Sequence, residues 1–196
     1  MTVNGGGEST TRQEQAPTSN PIPAPTLRLR AITADDDELL QRLHSPAVSG
    51  PWDYFDDPPG DLLRAGSFGG GARIIIDAEH GPVGDVSFIQ VPYGPNIRSL
   101  AWRIGITVLP EHRGRGIGSA AQLMLAHELF ATSSVNRVEA DTDLDNIPEQ
   151  RALERAGFVR EGVVRGAQYR GGRFYDRVLY GLLRSELEGD AVVLPA

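Results

Sequence analysis

The stretch Leu109-Pro110-Glu111-His112-Arg113-Gly114-Arg115-Gly116-Ile117-Gly118 decides how this chain folds. It stands between a predicted strand and a long predicted helix, and its three glycines let the backbone approach a bound anion closely. Backbone amides at the start of a helix point toward such an anion. Arg113 and Arg115 add positive charge, with forked donors that suit phosphate oxygens. The stretch therefore predicts a phosphate-binding loop, while a purely structural glycine turn stays open.

Three kinds of phosphate-binding loop compete for this stretch. A Walker loop requires a Gly-Lys-Ser/Thr ending, which is missing. A dinucleotide-binding loop requires Gly-x-Gly-x-x-Gly after the first strand of the chain, followed by an acidic ribose-binding residue, and this spacing is not matched either. The third pattern, Arg-x-x-Gly-x-Gly, fits Arg113, Gly116 and Gly118. A dinucleotide-dependent oxidoreductase is therefore the least favoured function class.

A second motif follows the glycine loop in the chain. Asp143-Leu144-Asp145-Asn146 leads into a predicted helix that stops at Gly157-Phe158. The succession of strand, Arg-x-x-Gly-x-Gly, helix, strand, Asn and Gly-Phe over residues 104–158 resembles the cofactor-binding half of the GNAT acetyltransferases. Residues 173–180 resemble the last strand of the branch that contains the ribosomal-protein N-terminal acetyltransferases. The resemblance therefore spans about residues 27–183.

The order of predicted elements gives the fold class. Periodicity and turn residues predict the order β-α-β-β-β-α-β-α-β-β, which corresponds to an α/β (α+β) chain with a mixed sheet and helices on both faces. The resemblance implies a GNAT fold with a central sheet of six to seven strands and about four helices. We expect a disordered arm over residues 1–25, which are rich in Gly, Ser, Gln and Pro. One domain should cover residues 26–186, followed by a tail over residues 187–196.

Composition narrows the function classes further. With 196 residues, 40% of them hydrophobic, the chain suits one well-buried core. The lack of cysteine excludes a disulfide framework and a Cys nucleophile, and the four histidines are too scattered to predict a metal site. A formal net charge of −7 opposes binding to nucleic acid or anionic membranes and favours a cationic substrate. Without a signal-peptide pattern or a long apolar run, a cytoplasmic protein is expected.

The resemblance implies a place for each part of the cofactor acetyl-CoA. Backbone groups near Val108 would hold the pantetheine arm as an extra strand, and the glycine loop would hold the pyrophosphate. Asn146 would lie beside the thioester, and the acetyl group would pass directly to an amine. The predicted cofactor-binding residues are Val108, Arg113, Gly114, Arg115, Gly116, Ile117, Gly118, Ser119 and Asn146.

Direct transfer requires that the acceptor ammonium lose a proton. A lysine-like amine is only roughly 0.04% neutral at pH 7, a handicap of about 4.6 kcal/mol, whereas an α-amine is about one-seventh neutral. Glu139 and Asp141 lie on the strand that would flank the thioester, so each is a candidate proton acceptor. Either carboxylate could instead be satisfied by Arg137 or by solvent. With Asn146, they are the predicted catalytic residues.

The chain departs from the family at the positions that usually supply the acid and the base. The serine often found three residues after the Asn is Glu149, the tyrosine that many members use as general acid is Leu153, and the glutamate of the third strand is Arg103. The acid and base roles that these positions have in other family members therefore cannot be assigned to Glu149, Leu153 and Arg103. Tyr169 and Tyr175 stay open as proton donors to the leaving thiolate.

The acceptor is inferred from one short segment. Trp52, Asp53 and Tyr54 mix aromatic and acidic side chains and are predicted to form part of the acceptor pocket, unless the aromatic residues only plug an open edge of the domain. We expect an amine on a small cationic metabolite or antibiotic. A protein N-terminus is the alternative acceptor, and a module that binds acyl-CoA without turnover is the alternative from another class. A homodimer is also open, since GNAT domains often dimerise.

Overall fold

The computed structural model describes residues 25–53 and 69–188, which form one seven-stranded sheet with helices on both faces. The strands are β1 (Leu27–Ala31), β2 (Gly70–Asp77), β3 (Gly81–Pro92), β4 (Leu100–Val108), β5 (Arg137–Asp143), β6 (Val159–Arg170) and β7 (Arg173–Leu183). The helices in the described residues are α1 (Asp37–Leu43), α2 (Pro46–Asp53), α3 (Ile117–Thr132), α4 (Ile147–Arg155) and α5 (Arg184–Glu188). The predicted mixed α/β fold is confirmed, with one more short helix than expected. The predicted arm and tail fall almost wholly outside the described residues.

The sheet is continuous except at its centre. Its strand order is β1-β2-β3-β4-β5-β7-β6, and all neighbouring strands are antiparallel except β4 and β5. That parallel pair is joined at only three positions, Trp102 with Val138, Arg103 with Glu139 and Ile104 with Ala140. Beyond them β4 runs on to Val108 and β5 to Asp143 without pairing to each other. The sheet is therefore split where the carboxyl ends of these two strands lie.

Helix α3 covers one face of the sheet. Its residues Ala121, Leu125 and Leu129 are buried and pack in one cluster with Val138 and Tyr180 of the neighbouring strands. Burying a large apolar side chain of this kind contributes about 1.5–3 kcal/mol. The apolar stripe of α3 thus fixes the helix against the strands that border the split.

Helices α1 and α2 cover the opposite face. On β3, Val86 belongs to the cluster that packs against α3, whereas the adjacent Asp85 meets His44 at the end of α1. Because successive side chains of a strand point to opposite faces, α1 and α3 lie on different sides of the sheet. Helix α2 is interrupted at Gly50, whose φ is 65°, so this segment, which includes Pro51, consists of short helical pieces.

Candidate functional site

The split between β4 and β5 opens into a cleft of about 490 Å3. Its walls come from the end of β4, the glycine loop with the first turn of α3, helix α2, and helix α4. The lining residues are Val48, Trp52, Ile106, Thr107, Val108, His112, Arg113, Gly114, Gly116, Ile117, Gly118, Ser119, Asn146, Pro148, Glu149, Arg151, Ala152 and Arg155. Eight of the nine predicted cofactor-binding residues thus line one cavity, and only Arg115 of that set does not.

The glycine loop turns sharply before α3 begins. Gly114 and Gly116 have φ values of 74° and 81°, in the left-handed region that side chains with a β-carbon avoid. Gly116 is the N-cap of α3, so the amides that follow it have no acceptor within the helix. Gly118 and Ser119, which carry two of these amides, line the cleft. This wall is therefore suited to hold an anion.

The two arginines of the loop lie in different surroundings. The Arg113 guanidinium donates from Nε to the carbonyl oxygen of Val108 over 2.8 Å and from Nη2 to that of Val48 over 2.6 Å. Arg113 therefore ties the loop to β4 and to α2. Nη1 of Arg115 lies 3.2 Å from Nε2 of His80, outside the cleft. A contact between either side chain and a phosphate stays a prediction.

Helix α4 brings two arginines to the cleft that the sequence reasoning missed. Arg151 and Arg155 are exposed, and both line the cavity. Nε of Arg155 donates to Oγ of Ser119 over 3.4 Å, across the gap between α4 and α3. A spacing of four residues places side chains on the same face of a helix, so this pair could have been found from the periodicity of the segment before Gly157.

Asn146 stands at the corner between β5 and α4 and caps the helix. Its Oδ1 accepts a hydrogen bond from the Glu149 amide at 3.4 Å, and its Nδ2 donates to Oγ1 of Thr142 at 3.0 Å. Only 8% of Asn146 is exposed, although it borders the cleft. The side chain therefore fixes the direction in which α4 leaves the split.

Glu139 is enclosed by hydrogen-bond donors and does not line the cleft. It is fully buried, and it accepts hydrogen bonds from Tyr93 at 2.6 Å, Arg103 at 2.6 Å and Arg137 at 2.8 Å. Burial raises the pKa of Glu139, but the bonds from Tyr93, Arg137 and Arg103 outweigh it and hold the pKa below its ordinary value. A carboxylate with a lowered pKa is a weak base. For Glu139 the geometry matches the alternative interpretation, a carboxylate satisfied by Arg137.

Asp141 lies on the part of β5 beyond its last pair with β4. Its Oδ1 accepts from Nε of Arg177 at 2.6 Å, and its Oδ2 is 3.3 Å from Nε of Arg103. The side chain is 19% exposed, so it is more accessible than Glu139. It is not among the cleft-lining residues. Asp141 therefore borders the split from the sheet face and not from within the cavity.

Trp52 closes one side of the cleft. Its Nε1 donates to Oδ1 of Asp145 over 3.1 Å, which links α2 to the loop before α4. Trp52 also lines the cavity, and its predicted role in the acceptor pocket stays a prediction. The side chain of Asp53 and the whole of Tyr54 lie outside the described residues, so their predicted roles remain predictions.

Of the other positions considered for acid or base chemistry, one lies at the cleft and three lie away from it. Glu149 lines the cleft, and Leu153 is fully buried in the core. Tyr169 packs against Phe174 with ring centroids 5.1 Å apart, and Tyr175 lies 3.7 Å below the Arg170 guanidinium. Both tyrosines belong to the β6–β7 hairpin and do not border the cavity.

Two features of residues 25–53 and 69–188 concern the predictions about metals and membranes. These residues contain no group of three or more His, Asp or Glu side chains arranged to hold a metal ion. None of the helices they form combines the length and apolar character needed to cross a membrane. The predictions about metals and location stay predictions.

Comparison with known sequences points to one family. Residues 26–159 match the family model described as an acetyltransferase (GNAT) domain. The chain is 36% identical over 87 residues to the Bacillus subtilis (strain 168) protein named "Putative ribosomal N-acetyltransferase YdaF", a match that covers 44% of this chain and 48% of that protein. The chain spans about half the length of the curated relatives it matches.

Solved structures share the fold. RimJ of Mycobacterium smegmatis, in complex with CoA-disulfide, superposes with a TM-score of 0.67 and 22% identity, covering 82% of this chain and 83% of that one. Spermidine N-acetyltransferase from Vibrio cholerae, in complex with CoA and spermine, gives a TM-score of 0.64 and 19% identity, covering 82% and 96% of the two chains. At these identities the likeness concerns the fold alone.

Proposed function

Because the chain belongs to the acetyltransferase (GNAT) family, we propose that it transfers an acetyl group from acetyl-CoA directly to an amine. One observation carries this proposal. Strands β4 and β5 pair at three positions and then separate, and the cavity between them is bordered by a glycine loop at the start of a helix of 16 residues. A thioester with a long amide-bearing arm and a pyrophosphate fits this combination of a strand edge and an anion site.

The residues of the cleft fit acetyl-CoA in two respects. Residues 106–108 of β4 have no strand pairing with β5, so their outward backbone groups, apart from the Val108 carbonyl that accepts from Arg113, are available to the amides of the pantetheine arm. Gly114 and Gly116 form a cradle that a β-carbon would strain, and the amides after Gly116 would hold the pyrophosphate. Acetyl-CoA supplies the acetyl group as a thioester. The protein binds it, orients it and handles the protons.

The three predicted catalytic residues enter this proposal with different roles. Asn146 fixes the corner of α4 beside the cleft, so we assign it a positioning role next to the thioester. Asp141 is the more accessible of the two carboxylates, and we assign it the proton of the acceptor ammonium, received through water. Glu139 is enclosed by three donors, and we assign it to the support of β4 and β5.

The acceptor we propose is an amine on a small cationic molecule. The chain carries a formal net charge of −7, which attracts cations at long range. Trp52 adds an aromatic wall at the side of the cleft formed by α2, where a cationic amine can be held against a ring. A cytoplasmic enzyme that modifies such molecules is consistent with this chemistry.

Acetylation of a protein N-terminus is the second candidate. It is favoured by the 36% identity over 87 residues to a relative whose name refers to ribosomal N-acetylation. An α-amine is about one-seventh neutral at pH 7, so it requires less help from a base than a lysine-like amine does. The two candidates differ in the acceptor and share the cofactor site.

The test is thiol release from acetyl-CoA in the presence of polyamines, aminoglycosides, amino acids and N-terminal peptides. The variant Gly118→Asp is the control with a blocked cofactor site, because it places a carboxylate where the pyrophosphate would bind. A β-carbon at Gly118 would meet Ala152 and Ile106 only at 3.9 Å, so the variant should fold. Gly118→Asn is the matched control, since it has the same shape without the charge.

We expect release that requires one class of amine, is lost in Gly118→Asp and is better retained in Gly118→Asn. Release with small cationic amines supports the first candidate, and release with peptides alone supports the second. CoA binding without release from any amine would contradict the transferase proposal and favour a non-catalytic acyl-CoA-binding module.

A further inference from the structure

The cleft carries positive charge on two separate walls. One wall holds the glycine loop and the first turn of α3, and the other holds Arg151 and Arg155 of α4. Both arginines are exposed, and Arg155 reaches Ser119 on the opposite wall at 3.4 Å. Within residues 25–53 and 69–188, Arg151 has neither a hydrogen bond nor an ion pair. The guanidinium groups of α4 are therefore available to a ligand.

Unpaired arginines are unusual among the residues that border the split. Arg103 and Arg137 both pair with Glu139, and Arg177 pairs with Asp141. Arg113 uses two of its nitrogens on backbone carbonyls. By contrast, Arg151 and Arg155 place like charges four residues apart on one helix, an arrangement that weakly destabilises the helix. A bound group with a negative charge of its own would offset this repulsion.

We propose that Arg151 and Arg155 bind the 3′-phosphate of the CoA ribose and so make the protein selective for CoA over 3′-dephospho-CoA. This inference rests on the proposed use of acetyl-CoA. CoA carries two separate phosphate groups, and the cleft has two separate positive walls. The amides after Gly116 suit the pyrophosphate, which needs close backbone approach. A terminal monophosphate carries nearly two charges and three acceptor oxygens, which suits two forked guanidinium groups.

The two walls approach each other between the phosphate positions. A β-carbon on Gly118 would lie 3.9 Å from that of Ala152, so α3 and α4 almost touch there. Arg151 directly precedes Ala152, and Arg155 lies one turn farther along α4. The arginines therefore flank the point of closest approach, where they can reach a phosphate outside the glycine cradle.

Calorimetric titration with CoA and with 3′-dephospho-CoA tests the proposal, because the two ligands differ only in that phosphate. The proteins are the full chain, Arg151→Gln, Arg155→Gln and the double variant. Arg98→Gln is the matched control. It removes one exposed arginine beside the start of β4, at the end of the strand away from the cleft. Thermal unfolding of each variant without ligand shows whether it is folded.

The wild-type chain should bind CoA at least about tenfold more tightly than 3′-dephospho-CoA, since a hydrogen bond to a charged group has roughly this effect on affinity. The double variant should bind the two ligands equally, with its affinity for 3′-dephospho-CoA within about twofold of wild type. Each single variant should lose part of the preference, and Arg98→Gln should keep all of it.

Three results would overturn the inference while leaving the transferase proposal intact. The double variant could keep the preference for CoA, the wild-type chain could show none, or the variants could lose affinity for both ligands equally, which would assign the arginines to the pyrophosphate. If the folded wild-type chain bound neither ligand, the proposed function itself would fail.

Discussion

Arg103 on β4 lies directly opposite Glu139 on β5, and its Nη2 donates to Oε1 of Glu139 over 2.6 Å one residue pair before the strands separate. Tyr93 and Arg137 complete the set of donors around this carboxylate. The ion pair therefore fastens the two strands at the base of the split. Its position suggests that it maintains the width of the cleft, and its hydrogen bonds help to hold the pKa of Glu139 below its ordinary value.

Glu139→Gln should destabilise the protein more than it affects proton transfer. It leaves Arg103 and Arg137 without their buried partner, so the free energy of unfolding should fall by about 3 kcal/mol in urea titrations. Glu161→Gln is the matched control, because Glu161 pairs with Arg137 at 2.6 Å but its side chain is 38% exposed. That variant should lose less than about 1 kcal/mol. If both variants lost the same free energy of unfolding, Glu139 would have no special structural role.

Arg113→Gln should loosen the glycine loop even without a ligand. The substitution removes bonds to the carbonyls of Val108 and Val48, so stability should fall by about 1–2 kcal/mol. Arg115→Gln, from the same loop, should change stability by less than about 0.5 kcal/mol, because its only described contact is with His80 at the surface. Thermal unfolding of both variants measures the difference, and similar melting temperatures would rule out the bracing role of Arg113.

Alanine should have opposite effects at two glycines of the loop. At Gly116, with φ of 81°, a β-carbon costs about 1–2 kcal/mol of stability. At Gly118, inside the first turn of α3, alanine should stabilise by up to about 1 kcal/mol. Denaturant titration of the two variants checks whether the free energy of unfolding falls in Gly116→Ala and rises in Gly118→Ala. A stabilised Gly116→Ala would mean that the left-handed cap is not formed in solution.

His44 should stabilise the protein in mildly acidic solution. The Asp85 carboxylate, 3.6 Å away, raises the pKa of His44 against the opposing effect of burial. Because the folded-state pKa is raised, the stabilisation is complete below the unfolded value of 6.5 and is lost as pH rises through the folded value. The His44 side chain is 61% exposed, so the effect should be about 0.5 kcal/mol.

The measurement is the difference in unfolding free energy between the wild-type chain and His44→Gln at two pH values. The difference should be larger at a pH about one unit below 6.5 than at a pH about two units above it. A difference that grows with pH would contradict the assigned sign.

Local sequence patterns predicted the parts of the molecule that local backbone chemistry determines. The glycine loop, the long helix after it and the helix that stops at Gly157 depend on residues close together in the chain, and the structure has each of them. The predicted strand ending at Val108 is β4. These features could be predicted because turn residues, caps and periodicity act over a few residues.

The partners of the charged side chains could not be predicted in the same way. Glu139 meets Tyr93 and Arg103, which come from distant positions and reach it only through the register of β3, β4 and β5. The bond between Trp52 and Asp145 spans 93 residues. Arg151 and Arg155 were visible in the sequence, but their function depends on α4 lying beside α3. The tertiary arrangement therefore decides which charged side chains are paired within the protein and which can bind a ligand.

If the split between β4 and β5 holds CoA, amide hydrogen exchange measured with and without CoA should show where the ligand lies. Binding there should slow exchange in peptides covering residues 105–119 and 146–155, which line the cleft, and leave the β6–β7 hairpin unchanged. Gly118→Asp should abolish the protection. CoA that binds without slowing exchange in these segments, or that protects the hairpin instead, would show that the split is not the cofactor site.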